Sequence, residues 1–218
     1  MYRPRVARGT LITIEGLDGA GKSTLADALV GELAARGVRA ELLREPGGVE
    51  VSERIRALVK DPALDVLART EALLYAAARA QLVEERLQPL LQGGAVVLLD
   101  RFVDSSLAYQ GAGRGLGVEA VRAINLFATG QLQPDRTLLL RISPALGHAR
   151  QRQRELEPDR LEREGERFFA AIADAYEELW RADPQRIRVI DAGQPPELVL
   201  HDALAALDDL ALPVAPAD

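Results

Sequence analysis

Short apolar segments and amphipathic segments alternate along this chain. Five apolar runs have the length and the Val, Ile and Leu content of strands that are buried on both faces. These runs are Thr10–Glu15, Arg39–Arg44, Ala95–Asp100, Arg136–Ile142 and Arg186–Asp191. Nearly continuous apolar runs of this kind are typical of parallel strands, which helices cover on both faces.

The segments between these runs carry apolar residues at helical spacing. Leu25, Leu29 and Leu33 recur every four residues before Gly37, which predicts a helix that ends at that glycine. The other predicted helices are a long segment through Leu74, Ala78 and Leu82 that ends near Gly93, and the segments Val118–Ala128, Arg160–Trp180 and Pro195–Leu207. Alternating strands and helices predict a doubly wound α/β sheet. No change in composition divides the chain, so we expect a single domain over residues 1–218.

Composition disfavours several classes of function. The 218 residues include no cysteine and two histidines, which disfavours a disulfide framework, a thiolate metal site and a multi-histidine metal centre. A net charge of −6 gives no indication of a nucleic-acid-binding protein, which usually has a basic domain. No apolar run reaches the roughly 18 residues of a membrane span, and no apolar signal segment follows the basic first residues. We therefore expect a cytoplasmic protein that binds neither nucleic acid nor membrane.

A phosphate-binding motif directly follows the first apolar run. Residues 16–23 read GLDGAGKS, which matches the P-loop pattern G-x-x-x-x-G-K-[ST] between a strand and an amphipathic helix. Its glycines let backbone N–H groups turn toward phosphate oxygens, and the helix N-terminus adds partial positive charge. Lys22 supplies a full charge for the β- and γ-phosphates, and Ser23 offers a hydroxyl to Mg²⁺. The predicted ATP-binding residues are Gly16, Leu17, Asp18, Gly19, Ala20, Gly21, Lys22, Ser23 and Thr24.

A carboxylate and an arginine end the third apolar run. Asp100 and Arg101 are expected at the carboxyl edge of the sheet, where ligands bind in folds of this class. Taken alone, the two residues are equally compatible with a surface ion pair at a strand end. Beside a P-loop, we favour Asp100 as a group near Mg²⁺ and Arg101 as a contact of the transferring phosphoryl group.

Four sequence blocks, taken in order, resemble those of the bacterial thymidylate kinases. They read IEGLDGAGKST, REPGG, LLDRFVDSSLAYQGAGRG and DRLE, and the resemblance extends from Ile12 to Asp191. It implies a P-loop nucleoside monophosphate kinase fold with a five-stranded parallel sheet flanked by helices, a mobile lid at about residues 143–163, and a homodimer. It also implies that the γ-phosphoryl group of ATP is transferred to dTMP, giving dTDP for dTTP synthesis, with Mg²⁺ as the cofactor.

The resemblance assigns roles around the acceptor nucleotide. Asp18 matches an acidic residue that approaches the sugar 3′-hydroxyl of the acceptor and the metal region, although an aspartate before glycine, taken alone, is more commonly a turn former. Pro46 matches a loop that packs on the sugar. Tyr75 and Arg79 match an aromatic ring that stacks on thymine and an arginine that bonds to a base oxygen. Their spacing of four places them on one helix face, which a core tyrosine beside a solvated arginine would satisfy nearly as well.

The third block supplies further predicted contacts to dTMP, in addition to Arg101. Ser105 and Ser106 follow that arginine, and Ser106 matches the position that reaches the edge of the pyrimidine ring. Tyr109 matches a residue that crowds the 2′ carbon and so disfavours ribose. Gln110 is expected nearby, and a helix-end residue is an equally good interpretation of it.

The charged segment at 143–163 is the predicted lid. Asp159 and Glu162 match acidic residues at its end, with exposed helix charges as an even alternative. Some thymidylate kinases carry an arginine inside the P-loop, at the position that Gly19 holds here. Because the transition state still needs positive charge, we expect the lid arginines Arg150 and Arg154 to supply it, as in the bacterial branch of the family. A solvated arginine-rich helix is the alternative.

Three other functions are also compatible with a P-loop. A kinase for another small acceptor would differ in its preference among nucleoside monophosphates. An ATPase switch would hydrolyse ATP without a small acceptor. A catalytically silent nucleotide-binding module is disfavoured, because Lys22, Ser23, Asp100 and Arg101 are all present.

Overall fold

The computed structural model describes residues 8–153 and 159–213. Its strands are β1 (Thr10–Gly16), β2 (Ala40–Arg44), β3 (Val96–Asp100), β4 (Arg136–Arg141) and β5 (Ile187–Asp191). They form one parallel sheet in the order β2-β3-β1-β4-β5. The predicted α/β fold with a five-stranded parallel sheet is therefore confirmed, and each strand boundary lies within one residue of its predicted position.

Helices cover both faces of this sheet. They are α1 (Lys22–Ala35), α2 (Glu50–Lys60), α3 (Ala68–Leu82), α4 (Gln88–Gln92), α5 (Val103–Ser106), α6 (Val118–Thr129), α7 (Pro144–Arg152), α8 (Glu166–Ala182) and α9 (Pro196–Ala205). A π-helical segment, Val83–Leu87, joins α3 to α4, and a second one, Leu107–Gly113, follows α5. Pro89 lacks the N–H that would bond to residue 85, which explains why the long helix widens there. No helix in the described ranges is long and apolar enough to cross a membrane.

One predicted helix boundary is wrong. The helix expected from Arg160 begins instead at Glu166, and residues 160–165 form turns. Asp159 Oδ1 accepts hydrogen bonds from the backbone N–H groups of Leu161 (2.9 Å) and Glu162 (3.1 Å), which caps the turn that begins there. The extended backbone of Gly165 (ψ 169°) then separates this turn from the helix that begins at Glu166.

The central strands are buried on both faces. Successive residues of β3 alternate between two apolar clusters, with Val96 and Leu98 in the cluster that contains α1 and α8, and Val97 and Leu99 in the other. Strand β1 lies between β3 and β4, so the strand order reverses beside it. Ligands bind at the carboxyl ends of the strands at such a switch point, and this is where β1 leads into the P-loop.

Candidate active site

The phosphate-binding motif forms the turn between β1 and α1. Gly16, Gly19 and Gly21 have φ angles of 137°, 82° and 90°, which residues with side chains rarely adopt. Gly21 is the N-cap of α1 and has no side chain to occupy the first N–H groups of that helix. Lys22 Nζ donates to the carbonyl oxygens of Gly16 (3.1 Å) and Leu17 (2.9 Å), so the lysine lies across the loop.

Two charged side chains of this loop have shifted pKa values. Burial and the neighbouring Arg101 charge lower the pKa of Lys22 to about 8, with Asp18 acting in the opposite direction. Burial would raise the pKa of Asp18, but the charges of Arg101 and Lys22 hold it well below its usual range. Asp18 is therefore an anion between two cations at neutral pH.

Ser23 and Asp100 are neighbours at the start of α1. The Ser23 hydroxyl donates to Asp100 Oδ2 at 3.0 Å. The other carboxylate oxygen, Oδ1, is buried and has no hydrogen-bond partner among the described residues. Among the residues that the structure describes, no group of three or more Asp, Glu, His or Cys side chains is placed to hold a metal ion. Mg²⁺ commonly uses one or two protein ligands together with phosphate and water, so this pair of side chains fits Mg²⁺.

Arg101 is held at the centre of the site. Its guanidinium donates through Nη1 to the Gly16 carbonyl (3.2 Å) and to Ser105 Oγ (3.0 Å). Nη2 pairs with the Asp18 carboxylate, and the group lies over the Tyr109 ring at 5.0 Å from its centroid. Tyr109 in turn donates its hydroxyl to Asp18 Oδ2 at 2.8 Å. This network joins the P-loop to the segment that follows β3.

A cavity of about 250 Å³ opens beside these groups. Every residue of the predicted substrate-binding set lines it, namely Asp18, Pro46, Tyr75, Arg79, Arg101, Ser105, Ser106, Tyr109, Gln110, Asp159 and Glu162. Lys22, Ser23 and Asp100 line the same cavity. The residues assigned to the acceptor and those assigned to the phosphates are therefore brought together.

Arg79 is not a solvated residue. Its side chain is 2% exposed and donates to Glu45 Oε2 (2.7 Å), to Ser106 Oγ (2.9 Å) and to the Phe102 carbonyl (2.8 Å). It also donates to Asn125 Oδ1. Burial raises the pKa of Glu45 to about 7, against the opposing charge of Arg79. The alternative of a solvated arginine is thus wrong, and the guanidinium has one fixed orientation at the cavity wall.

Five further residues line the cavity, and the sequence analysis did not assign them to the site: Arg44, Glu45, Arg56, Lys60 and Leu161. Arg56 Nη1 donates to the Pro46 carbonyl at 2.8 Å, and Lys60 Nζ lies 2.6 Å from Asp159 Oδ2. Arg56 and Lys60 lie four residues apart on the helix after REPGG, which places them on one helix face, but this spacing is equally typical of a solvated face.

The far end of the predicted lid is docked on α2 and α3. Arg160 donates from Nε to the Val59 carbonyl (3.0 Å) and pairs through Nη2 with Glu71, which is fully buried. Glu71 also accepts from Gln110 Nε2 at 2.8 Å. These contacts connect the lid to a residue that lines the cavity.

A second cavity, of about 300 Å³, lies on another side of the P-loop. It is lined by Gly19, Ala20, Gly21, Thr24, Leu25, Ala28, Arg150, Ala192, Gln194, Pro196, Val199 and Leu200. Arg150 Nη1 donates to the Ala192 carbonyl at 2.9 Å. Arg150 thus lines this second cavity, and its catalytic role stays a prediction. Arg154 lies outside the described residues.

Comparisons with known proteins agree on one family. The thymidylate kinase family model matches residues 14–203. The thymidylate kinase of Lactobacillus helveticus is 47% identical over 205 residues, which cover 92% of this chain and 96% of that protein. The Deinococcus radiodurans thymidylate kinase is 44% identical over 204 residues, covering 94% and 98%. A crystal structure of thymidylate kinase from Ehrlichia chaffeensis has a TM-score of 0.72 and 26% identity, covering 92% of this chain and 99% of that one. The chain therefore belongs to the thymidylate kinase family.

Proposed function

We propose that this chain transfers the γ-phosphoryl group of ATP to the phosphate of dTMP, giving dTDP and ADP. One observation carries the assignment of the site. A single cavity is lined both by phosphate-binding cations, Lys22 and Arg101, and by an aromatic ring, Tyr75, suited to a nucleobase. Transfer between two nucleotides requires this juxtaposition, because both phosphate groups must meet in one place.

The cavity wall suits a deoxynucleotide acceptor. The Tyr75 ring offers a stacking face. Every nitrogen of the Arg79 guanidinium has a protein partner, so a bond from Arg79 to a base oxygen would replace or share one of these contacts. Tyr109 is tied by its hydroxyl to Asp18, so its ring cannot easily swing aside to admit a 2′-hydroxyl. Arg56, held near Pro46, is a cation available for the acceptor phosphate.

The donor nucleotide is assigned to the P-loop and the second cavity. The triphosphate would take the N–H groups at the start of α1 and the Lys22 ammonium. Apolar groups from Val199 and Leu200, together with the Arg150 guanidinium, surround a space suited to a planar base. This arrangement would place the γ-phosphate at the loop, between the two cavities that share Gly19 and Gly21.

Charge neutralisation is the main task of the protein in this reaction. The acceptor phosphate is already anionic near neutral pH, so no general base is assigned. Lys22 and Arg101 would offset the negative charge that spreads over the moving phosphoryl group. Asp18 holds the Arg101 guanidinium in place, and closure of the lid would keep water from competing with the acceptor.

Mg²⁺ is the proposed cofactor. The Ser23 hydroxyl and the unpartnered Asp100 Oδ1 are the groups that would hold it, directly or through water. When bound, the ion supplies positive charge to the β- and γ-phosphates. Loss of turnover on removing Mg²⁺, with recovery on its return, would support this cofactor.

An acceptor panel tests the proposed function. ADP release is measured with ATP, Mg²⁺ and each nucleoside monophosphate in turn, including a reaction with no acceptor. We expect release to depend on an acceptor and to be fastest with dTMP. Release that ignores every acceptor would instead favour the ATPase switch, and faster release with another monophosphate would favour a kinase of different specificity.

A homodimer is the proposed assembly. Helices α2, α3 and α6 lie side by side, and each presents large apolar residues to the exterior. These residues are Val51, Leu58, Leu73, Leu126 and Phe127, and Phe127 is 91% exposed. A surface of this kind on three adjacent helices is larger than scattered single apolar residues would explain. A second copy of this chain would cover it by two-fold symmetry.

A cytoplasmic location is part of the proposal. Its support is the proposed chemistry, since ATP and nucleoside monophosphates are intracellular metabolites. Cell fractionation with an antibody against the chain would test it.

A further inference from the structure

Glu15 is a buried carboxylate that the proposed mechanism does not use. It is the last residue before the P-loop, and its side chain is 0% exposed. Burial, and then the charge of Asp104, raise the pKa of Glu15 above its ordinary value. Burying a carboxylate is costly unless its hydrogen bonds are satisfied, so the groups that bind it indicate what it does.

Two of these groups belong to the turn that carries Arg101. Glu15 Oε1 accepts a hydrogen bond from the backbone N–H of Phe102 at 2.7 Å. Glu15 Oε2 accepts one from Ser105 Oγ at 2.5 Å. A third donor, the hydroxyl of Tyr176 on α8, reaches Oε2 at 3.1 Å.

Arg101 has a backbone conformation that must be held. Its φ angle is 71°, a left-handed value that is unfavourable for a residue with a long side chain. The N–H of Arg101 donates to the Ile14 carbonyl at 3.0 Å, and the next N–H, that of Phe102, donates to Glu15. Two consecutive residues of β1 therefore hold the two sides of this turn.

The same carboxylate also reaches the Arg101 side chain through one intermediary. Ser105 Oγ donates to Glu15 and accepts from Arg101 Nη1 at 3.0 Å. Because the hydroxyl proton is directed toward Glu15, the oxygen lone pairs face the guanidinium. Glu15 thus controls both the backbone and the side-chain orientation of Arg101.

We propose that Glu15 is a positioning residue for phosphoryl transfer, which holds Arg101 in its left-handed turn and aims its guanidinium at the transferring group. This inference rests on the proposed function, because Arg101 must act on that group. A misplacement of about 1 Å can reduce a rate on the order of a hundredfold, so a positioning role has a measurable effect.

A double-mutant cycle in the full chain tests the proposal. The variants are Glu15→Gln, Arg101→Ala and the double variant, and kcat, KM for ATP and dTMP, and Tm are measured for each. We expect Glu15→Gln to lower kcat by roughly tenfold to a hundredfold, with KM for ATP within about twofold of the parent. The double variant should be no slower than Arg101→Ala, because Glu15 acts through Arg101. Glu84→Gln, the same substitution at an exposed position of the chain, is the matched control and should keep kcat within about twofold.

Each failure has its own signature. Parental kcat in Glu15→Gln, with Arg101→Ala impaired, overturns the inference and leaves the proposed function standing. Multiplicative losses in the double variant also overturn it, because Glu15 would then act independently of Arg101. Parental kcat in Arg101→Ala overturns both the inference and the assigned role of Arg101. If Glu15→Gln does not fold, Ser105→Ala replaces it in the cycle, with the same expectation of a lowered kcat and no further loss beside Arg101→Ala.

Discussion

Gly19 of the P-loop and Gly147 of helix α7 approach each other backbone to backbone. A Cβ atom on Gly147 would come within 2.8 Å of the Asp18 carbonyl oxygen, and a Cβ atom on Gly19 would overlap the backbone of Gly147. Two residues without side chains thus let the first helix of the predicted lid segment lie directly on the loop. Helix α7 is also the element that carries Arg150.

Gly147→Ala should push α7 away from the P-loop. The added methyl group meets backbone, which cannot move aside as a side chain could, so we expect a higher KM for ATP and a lower kcat. Gly31→Ala is the matched control, because Gly31 lies in α1 with no atom within 4 Å of the added Cβ. That change should leave kinetics unchanged and raise stability by about 0.5–1 kcal/mol through helix propensity. Parental kinetics in Gly147→Ala would show that this close approach is unimportant.

The charge on Lys22 predicts a pH dependence. Its pKa in the free protein is lowered to about 8, so the ammonium is present below that pH and is lost as the pH rises through it. Because kcat/KM reports the free enzyme, kcat/KM for ATP should fall above about pH 8. Bound phosphates favour the charged lysine, so the fall in kcat should occur at higher pH. The residual kcat/KM of Lys22→Ala should not show this fall above about pH 8. A fall at the same pH in that variant would mean that another group is responsible.

The fold could be predicted from the sequence because its strands are short, apolar and separated by helical patterns. Burial of β3 on both faces leaves little choice for Val96 through Leu99. The boundary at Glu166 was missed because the extended Gly165, which separates the turn from α8, leaves no mark in the apolar spacing. Helical spacing continues through that segment and does not report such a turn.

The phosphate-binding part of the site could be predicted because the P-loop motif combines a specific residue pattern with a known ligand chemistry. Glu15 precedes that motif and looks like any strand residue, and its contacts to Phe102 and Ser105 span 87 and 90 residues of sequence. Arg56 and Lys60 were missed because a charged pair at helical spacing usually marks a solvated face. Only the tertiary structure turns that face toward the cavity.

Tyr75→Ala should weaken dTMP binding far more than ATP binding. Losing one stacked ring should cost about 1–3 kcal/mol, by analogy with stacking of bases on aromatic residues. Titration of each nucleotide against the variant measures the two effects separately. Tyr75→Phe keeps the ring and serves as the control, with near-parental dTMP affinity. Equal weakening for both nucleotides in Tyr75→Ala would indicate a core tyrosine.

Phe127→Glu should dissociate the proposed dimer. The substitution places a charge in the apolar surface of α2, α3 and α6, where a partner would otherwise exclude water. Light scattering after size-exclusion chromatography should give the mass of two chains for the parent and one for the variant. Leu198→Glu, at a 49% exposed position on α9, is the control and should keep the parental mass. A monomeric parent would rule out the assembly at the concentration tested.

Arg150→Ala separates two possible roles for the lid arginine. If Arg150 supplies charge to the moving phosphoryl group, kcat should fall by a large factor, of roughly 10³–10⁵ for an arginine finger, with little change in dTMP affinity. If it only lies over the donor base in the second cavity, KM for ATP should rise by about two- to thirtyfold, the loss of a cation–π contact worth roughly 0.5–2 kcal/mol, and kcat should change little. The contact of Arg150 with the Ala192 carbonyl holds the guanidinium at that cavity, so we expect the increase in KM to be the dominant effect.

Arg152→Ala, an exposed position on the same helix, is the matched control and should retain both constants. Parental kcat and KM in Arg150→Ala would contradict both roles and leave the contact with the Ala192 carbonyl as a structural one.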